Sequence, residues 1–437
     1  MLLTKTNTLD SVSIYLNEYQ LSFYYAESYF LYKNHLNYLI SRLNKYKSYQ
    51  ENTERKKYFN LLNDAYSQNA KNVNKIVSTL KSNVSITAYE NLKVNSTNNT
   101  QTTLKDFIYL RRDWCFLPEA EEQLKTTIDP IKQELSKIKF ENNNSLFLGC
   151  GVGRIAFEFE NVYKKIYATD KSFSMIWHLQ KLLNGELINF YNPHEKNTHR
   201  LENVAQKYIA EIPKEKLNKV KNKFEAFVSD VLDLPFENKS VNAIFSIYFT
   251  DVIALKLWFQ QINDKLSDNG LFIHFGPLDY FFSDEREMLT AEEFRQFFES
   301  KGYTTLVDKI VETPHLEDSN SISYKVYRNW FFIAQKNKKE DIEVNDDTVL
   351  SIKEPISYER KGVIKDGIKE NEVNLKLPNG NFSGADSVIQ ILKLVDGKNT
   401  FKEILIKLKK NGFVINDSDE IKNLLIDFLK QEIVTAN

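Results

Sequence analysis

Three carboxylates, each following an apolar run, are the residues of this chain best placed to do chemistry. They are Asp170, Asp230 and Asp251. Parallel strands end at one edge of their sheet, so we expect these side chains to share one cleft. A carboxylate at the end of a second strand can accept two hydrogen bonds from ribose hydroxyls. The spacing therefore predicts a nucleotide-cofactor site.

A glycine turn lies upstream of these acids. The apolar run Ser145-Leu-Phe-Leu leads into Gly149, Gly151 and Gly153, and Arg154 follows. Glycines without a Cβ let a ligand approach the backbone closely, and the next helix offers free N–H groups to an anion. Glycine turns also join strands to helices for structural reasons alone, and that is the alternative interpretation.

The elements that must position these residues are strands alternating with helices. Residues 242–249 form an apolar run typical of a central strand covered on both faces. An amphipathic helix follows over 253–266, then a turn at 268–270 and a buried strand over 271–275. This alternation predicts an α/β fold with a parallel, doubly wound sheet.

The spacing of the glycines separates two cofactor classes. Dinucleotide-binding folds use G-x-G-x-x-G, whereas Arg154 stands at the third glycine position of this chain. G-x-G-x-G followed by an acid at the next strand end resembles the S-adenosylmethionine (SAM) methyltransferases. The resemblance implies SAM as the cofactor and a Rossmann-like methyltransferase sheet.

Longer motifs resemble one methyltransferase family, the carnosine N-methyltransferases. The segment 149–158 is similar to G-x-G-x-G-R-L-A-x-E, and 249–251 is similar to F-x-D. The segment 269–280 is similar to G-G-x-W-I-N-L-G-P-L-L-Y, and 112–114 to R-D-W. The resemblance also covers the starts of a later helix and the last strand, and it spans residues 104 to 336.

The resemblance implies roles for individual residues. Asp251 would accept the N–H of one imidazole nitrogen, and Tyr280 and Tyr327 would hold the substrate. The glycine turn and Arg154 would hold the methionine part of the cofactor. Asp170 would bind its ribose, and Asp230 with the backbone of Val231 would orient its adenine. The alternatives are that Asp251 caps the following helix and that Tyr280 is a core residue.

Two positions depart from the family pattern on the substrate side. Phe281 stands where the family has a histidine, and Lys325 where it has a tyrosine. Methyl transfer to an imidazole-bearing acceptor remains the leading prediction, with either a small histidine dipeptide or a histidine-containing peptide as substrate. The alternatives are an unrelated small-molecule acceptor and a scaffold that binds SAM without turnover.

Composition narrows the class of protein further. The 437 residues carry a net charge of −1, which predicts no nucleic-acid partner. The two cysteines, Cys115 and Cys150, cannot build a disulfide framework and suggest a reducing compartment. No secretion signal and no long apolar run is apparent, so we expect a cytoplasmic protein without a membrane partner. Cys150 is interpreted as a small apolar filler, with a redox role as the alternative.

The chain divides into four predicted regions. They are an N-terminal helical region (1–103), the methyltransferase domain (104–336), a charged linker (337–355) and a small C-terminal domain (356–437). The helical periodicity of 12–92 carries many tyrosines, which we interpret as a half-buried face with hydroxyls in water or as a lid over the cofactor. A polar loop at 95–101 is the expected boundary.

Two further segments could serve the substrate. The polar insert 185–222 contains His194 and His199, whose spacing matches no metal motif, so we expect surface residues or substrate contacts and no metal. The C-terminal pattern around Thr400 and Glu403, which predicts a capping box, resembles winged-helix modules related to the PqqD peptide-binding family. That resemblance implies a leader-peptide partner; a structural or dimerising cap is the alternative.

Overall fold

The computed structural model forms two compact units, Met1–Lys338 and Lys339–Asn437. The structure describes residues 2–50, 55–85, 87, 104–338, 344–365, 368–377, 380–383, 386–413, 418–431 and 433–436. The predicted loop at 95–101 lies outside these residues.

The first unit contains eleven strands and nine helices of at least four residues among its described residues. The strands are β1 Asn7–Leu9, β2 Val12–Tyr15, β3 Asn144–Leu148, β4 Lys165–Asp170, β5 Ile188–Pro193, β6 Ala205–Ala210, β7 Phe224–Ser229, β8 Val241–Ile247, β9 Leu266–Gly276, β10 Tyr303–His315 and β11 Lys325–Lys336. The α-helices are α1 Glu18–Gln50, α2 Lys56–Lys81, α3 Asp106–Trp114, α4 Pro118–Leu135, α5 Arg154–Phe157, α6 Phe173–Leu183, α7 Lys214–Val220, α8 Leu255–Lys265 and α9 Ala291–Ser300.

A nine-stranded sheet organises this unit, in the order β1-β2-β7-β4-β3-β8-β9-β11-β10. Within this sheet, the strands β2, β7, β4, β3, β8 and β9 are parallel to one another. The strands β1, β11 and β10 are antiparallel to their neighbours. The direction of winding reverses at β3, which has β4 on one side and β8 on the other. Ligands of such sheets bind beyond the carboxyl ends of the strands at this reversal. The predicted doubly wound α/β fold is therefore confirmed.

Both faces of the sheet are buried, which explains the apolar character of the central strands. All seven residues of β8 are buried. Leu146 of β3 belongs to the cluster that contains Trp258 of α8, whereas its neighbour Phe147 belongs to the cluster that contains Leu124 of α4. Successive side chains of a strand point to opposite faces, so helices cover both sides of β3.

The N-terminal region differs from its predicted all-helical character. Residues 12–15 form β2, which runs parallel to β7 and extends the sheet by one strand, before α1 and α2 begin. Val12 and Ile14 are fully buried against the sheet. Two β-branched residues with period two are too few to stand out beside the long helical periodicity that follows.

Two further segments refine the prediction. The segment 268–270 was predicted to be a turn; it lies inside the continuous strand β9, where Asn269 adopts a positive φ of 58°. The polar insert 185–222 forms a β5–β6 hairpin followed by α7. Asn69 and Asn72 of α2 donate hydrogen bonds to carbonyl oxygens of β5, which fixes the hairpin against the helical region.

The second unit contains the elements β12 Val349–Ile352, β13 Ser357–Lys365, β14 Ile368–Leu377, β15 Gly380–Ser383, α10 Asp386–Leu392, β16 Asp396–Thr400, α11 Phe401–Lys410, α12 Ser418–Lys430 and β17 Val434–Ala436. The strand β12 lies within the segment predicted to be a linker and pairs with β16 and β17. The capping box of Thr400 and Glu403 is confirmed at the start of α11. No helix among the described residues combines the length and apolar character needed to cross a bilayer.

Candidate active site

A cavity of about 480 Å³ lies beyond the carboxyl ends of the central strands. It is lined by the ends and following loops of β3, β4, β7 and β8, by part of α5 and α6, and by Tyr109 and Arg112 of α3. Among the predicted cofactor residues, the cavity wall includes Gly149, Gly151, Asp170, Asp230 and Val231.

The glycine turn has three positive φ angles with different surroundings. A Cβ on Gly149 would lie 2.4 Å from the ring of Phe249, and one on Gly153 would lie 2.5 Å from Leu179. A Cβ on Gly151 would meet no protein atom within 4 Å. The outer two glycines thus permit close packing within the protein, whereas Gly151 leaves space open at the cavity wall.

Asp170 ties the glycine turn to the loop after β4. One carboxylate oxygen accepts the N–H of Gly151 at 2.9 Å, and the other accepts the N–H of Ser172 at 2.8 Å. Burial raises the pKa of Asp170, although these backbone donors oppose the shift. Each carboxylate oxygen retains a second lone pair, so the carboxylate can accept further hydrogen bonds from a ligand in the cavity.

Asp230 occupies the corresponding position after β7. Its carboxylate accepts the N–H of Leu232 at 3.0 Å and forms an ion pair of 2.9 Å with Lys171. Lys171 and Leu232 also line the cavity. Asp230 therefore orders the loop that presents the backbone of Val231 to the ligand.

The two arginines near the cavity occupy different environments from those predicted. Arg154 donates to both carboxylate oxygens of Glu121, to Glu158 and to the carbonyl of Asp113, and its side chain is 3% exposed. Neither it nor Gly153 is among the described residues that line the cavity. Arg154 starts α5, and its side chain turns away to join that helix to α3 and α4.

Arg112 is the cation at the cavity wall. Its Nε and Nη2 pair with Asp113, and no hydrogen bond to a described residue uses its Nη1. Tyr109 lies one turn earlier on α3. The guanidinium carbon of Arg112 is 5.1 Å from the centre of the Tyr109 ring. Arg112 is the arginine of the R-D-W motif in the sequence. The sequence-based prediction instead gave binding of the methionine part to Arg154, which lies nearer the glycine turn.

Asp251 lies in the loop after β8 and is 4% exposed. Burial raises its pKa to about 6, with a smaller contribution from Asp279. Its backbone carbonyl accepts the N–H of Phe281 at 2.9 Å, which joins the loops after β8 and β9. The helix α8 has Ala254 at its N-cap, without a side-chain hydrogen bond. The alternative role of Asp251 as a helix cap is therefore wrong.

The predicted substrate tyrosines, Tyr280 and Tyr327, lie close enough to Asp251 for its charge to affect their pKa values. Burial raises the pKa of Tyr280 to about 12 and also raises that of Tyr327, and Asp251 adds to both shifts. Tyr280 is half-buried and donates to the carbonyl of Leu289 at 2.6 Å. None of the three belongs to the described residues that line the cavity, so they form a separate group beside it.

His315 belongs to this group, and sequence reasoning missed it. Its ring lies 4.5 Å from that of Tyr327 and 5.8 Å from that of Tyr248, which lines the cavity. Burial lowers its pKa to about 4, and its Nδ1 is buried without a hydrogen-bond partner in the described structure. No motif surrounds this residue, since only the antiparallel register of β10 and β11 brings it to Tyr327.

Several tyrosines of α1 are more buried than predicted, although Tyr19 is 76% exposed. Tyr24 and Tyr32 are 4% and 1% exposed. The Tyr24 hydroxyl donates to the carbonyl of Lys171 at 2.9 Å, and the Tyr32 hydroxyl lies 3.0 Å from that of Ser172. The hydroxyls thus hold the loop after β4, which contains residues of the cavity wall, instead of facing water.

The remaining predicted residues lie away from the cavity or do not face it as reactive groups. Burial raises the pKa of the Cys150 thiol well above its usual range, which favours the filler role over redox chemistry. His194 pairs with Asp318 at 2.8 Å. Within the described parts of the chain, no three His, Cys, Asp or Glu side chains come together as a metal site requires.

Comparison with known proteins decides the family. A sequence model of the carnosine N-methyltransferases matches residues 88–338, more than half of the chain. The chain belongs to the carnosine N-methyltransferase family. The carnosine N-methyltransferase of Schizosaccharomyces pombe is 23% identical over 281 residues, covering 57% of this chain and 74% of that protein.

Solved structures of SAM-dependent methyltransferases resemble the chain more distantly. One from Aquifex aeolicus is 15% identical, covers 53% of this chain and 99% of its own, and has a TM-score of 0.32. One from Methanosarcina mazei is 13% identical, covers 47% and 97%, and has a TM-score of 0.31.

Family membership makes this protein a SAM-dependent methyltransferase, with SAM as its cofactor. The cavity is compatible with such a ligand. Its volume falls in the range of small-molecule sites, and Gly151 leaves open space at its wall. Asp170 offers acceptors and Arg112 offers a cation, as a ribose and a carboxylate require.

Proposed function

We propose that this enzyme N-methylates the imidazole ring of a histidine-bearing acceptor. The observation that carries the proposal is Asp251, a buried carboxylate whose own backbone is the only described donor to it. A carboxylate kept in that state needs a polar partner from the ligand. The N–H of an imidazole is such a partner.

Different residues of the cavity would bind different parts of the cofactor. Asp170 would accept from the ribose hydroxyls, because its oxygens are held at the cavity wall by the N–H groups of Gly151 and Ser172 and retain free lone pairs. The Nη1 of Arg112 would donate to the carboxylate of the methionine part. Asp230 would order the backbone of Val231 for the adenine, and Gly151 would leave room for the close approach of the cofactor.

SAM supplies a methyl group on a positively charged sulfur, which is activated for displacement by a neutral nitrogen. Asp251 would accept the N–H of one ring nitrogen and thereby leave the lone pair of the other nitrogen free. After transfer the ring is cationic, and the same carboxylate would take the N–H proton. A pKa near 6 suits a base for an imidazole, since the two groups titrate in the same range.

The tyrosine and histidine rings beside Asp251 would form the acceptor site. The rings of Tyr327 and His315 are in contact and tilted by 49° to each other, and Tyr280 adds a second phenol. Aromatic rings of this kind hold a flat imidazole by ring contacts at low entropic cost. Phe281 is 72% exposed, so the position differing from the family motif is open to the solvent side of this site.

An acceptor screen tests the proposal. The purified protein is incubated with methyl-labelled SAM and with carnosine, other histidine dipeptides and histidine-containing peptides, and the products are identified by mass spectrometry. We expect a methylated imidazole nitrogen in one of these classes. SAM binding by calorimetry without transfer to any histidine acceptor would contradict the proposal and support a scaffold or a different acceptor.

A peptide acceptor is the second candidate, and the C-terminal unit favours it. This unit contains a cavity of about 370 Å³ lined mainly by apolar residues, among them Ile352, Ile356, Ile389 and Leu392. An apolar groove of this size suits a segment of a leader peptide. Deletion of residues 344–437 would then impair methylation of a long peptide and leave that of a dipeptide intact.

A further inference from the structure

His274 is a fully buried histidine near the carboxyl end of β9, which leads into the loop that carries Tyr280. Its ring lies among aromatic side chains, with centroids 5.2 Å from Trp330 and 6.0 Å from Phe294. No ion pair to a described residue involves it. Nothing in the transfer of a methyl group uses this residue directly.

The ring is the centre of a chain of hydrogen bonds. Nε2 lies 3.3 Å from the carbonyl oxygen of Gly276, and Nδ1 lies 2.9 Å from the hydroxyl of Thr250. The hydroxyl of Ser246 lies 2.6 Å from that of Thr250. All of these groups are buried, so each bond replaces one that water would otherwise make.

The partners determine the direction of each bond. A carbonyl oxygen can only accept, so Nε2 carries the proton and donates it to Gly276. Nδ1 is then the acceptor, and the hydroxyl of Thr250 donates to it. The hydroxyl of Ser246 in turn donates to Thr250. Burial lowers the pKa of His274 to about 4, so the ring is neutral at physiological pH and this arrangement persists.

The chain joins two loops at the points where the candidate catalytic residues begin. Thr250 immediately precedes Asp251, and Gly276 begins the Gly-Pro-Leu-Asp-Tyr segment that ends at Tyr280. A second connection runs from the N–H of Phe281 to the carbonyl of Asp251, the residue next to Thr250. The loop after β9 is therefore tied at Gly276, through His274, and at Phe281 to the same point of the loop after β8.

We propose that His274 is a positioning residue, which fixes the loop of Asp251 relative to that of Tyr280 through its bonds to Thr250 and Gly276. The loss of His274 would affect the acceptor side and leave the cofactor cavity unchanged, because His274 does not line that cavity. This inference rests on the proposed role of Asp251. The family motif has asparagine at this position, so the histidine is a property of this chain.

Three variants remove different parts of the hydrogen-bonded chain through His274. His274→Asn keeps an acceptor within reach of Thr250 and loses the bond to Gly276. His274→Leu loses both, and Thr250→Val removes the donor from the other side. We expect kcat with carnosine, or with the acceptor found in the screen, to fall at least tenfold for His274→Leu and Thr250→Val. The fall for His274→Asn should be smaller, and Kd for SAM should stay within twofold for all three.

A double-mutant cycle separates positioning from general damage. His274→Leu and Thr250→Val break the same chain, so the double variant should be no slower than the slower single variant. His178→Leu is the matched control, because His178 is equally buried and neither of its nitrogens has a hydrogen-bond partner in the described structure. We expect its kcat to be unchanged.

The same measurements can overturn the inference. Wild-type kcat in a folded His274→Leu or Thr250→Val protein, or multiplicative losses in the double variant, would exclude a positioning role. If His274→Leu fails to fold, Thr250→Val and His274→Asn still decide the matter. Adding His274→Leu to Asp251→Asn should lower kcat no further, whereas an active Asp251→Asn single variant would refute the proposed function itself.

Discussion

The cofactor side and the acceptor side of this site are built in different ways. The cofactor cavity uses backbone groups of short segments that each follow a strand, such as the Gly149–Gly151 turn and the N–H of Ser172. The proposed acceptor side uses the side chains Asp251, Tyr280, His315 and Tyr327, which come from separate loops and strands. The first is set by the fold, and the second can change while the fold persists.

The carboxylates show the same contrast. Asp170 accepts two N–H groups from neighbouring residues, whereas the only described donor to Asp251 is its own backbone N–H. The surrounding backbone thus satisfies part of the hydrogen-bonding capacity of Asp170. Burial raises the pKa of both carboxylates, but Asp251 has no donor from another described residue, so its oxygens remain available to a ligand.

Gly151→Ala should have the largest effect on SAM affinity, and it acts on the cofactor side alone. At a φ of 56° the new Cβ would project into open space at the cavity wall without striking the protein. We expect Kd for SAM to rise by roughly a hundredfold, because the ligand is displaced from its place on the backbone. Calorimetry with SAM or S-adenosylhomocysteine measures the change.

Gly302→Ala is the matched control for that experiment. Gly302 also has a positive φ, 82°, with no atom within 4 Å of a Cβ, but it lies in the turn before β10. Both substitutions cost about 1–2 kcal/mol of backbone strain. Equal losses of SAM affinity in the two variants would show that strain, and not contact with the cofactor, is responsible.

Asp251→Asn should have the largest effect on turnover, and that effect should be confined to the acceptor side. We expect kcat to fall by roughly 10²- to 10⁴-fold, because the amide cannot take the imidazole proton. Kd for SAM should stay within twofold. In the wild type, kcat should fall as the pH drops below about 6, where the carboxylate becomes protonated.

The stability of the same variant should move in the opposite direction. The folded protein holds the proton of Asp251 to about pH 6, whereas an unfolded aspartate releases it near 3.9. Stability from this group therefore falls as the pH rises through that window. Asp251→Asn should be at least as stable as the wild type at pH 8, and a marked loss of Tm there would indicate a structural role.

Sequence reasoning predicted the parts of this site that are local in sequence. The strands, the glycine turn and Asp170 are local patterns, because an apolar run and its following turn lie within a few residues. Arg112 and His315 do not belong to such local patterns. A helix about forty residues upstream of the glycine turn brings Arg112 to the cavity, and the strand register brings His315 to Tyr327. Proximity in sequence favoured Arg154, whose side chain is taken by Glu121 and Glu158.

The two arginines give the third prediction. Arg112→Gln should raise Kd for SAM roughly 10- to 100-fold, which is the loss of one charge-assisted hydrogen bond. Arg154→Gln should lower Tm and leave Kd unchanged, because it removes a buried guanidinium that pairs with the half-buried Glu121 and Glu158. The reverse pattern would restore Arg154 as the cofactor residue.

The smallest expected effect tests whether the N-terminal helix α1 belongs to the cofactor side. The Tyr32 hydroxyl lies 3.0 Å from Ser172 and accepts the N–H of Ser174, so Tyr32→Phe loosens the loop that starts at Asp170. One neutral hydrogen bond contributes about 1 kcal/mol, so Kd for SAM should rise roughly fivefold. Tyr25→Phe is the control, since the hydroxyl of this equally buried tyrosine pairs with Asn7 instead. Equal Kd values for the two variants would reduce α1 to a packing element, whereas a weaker affinity in Tyr32→Phe alone would extend the cofactor site to residues that precede the family match.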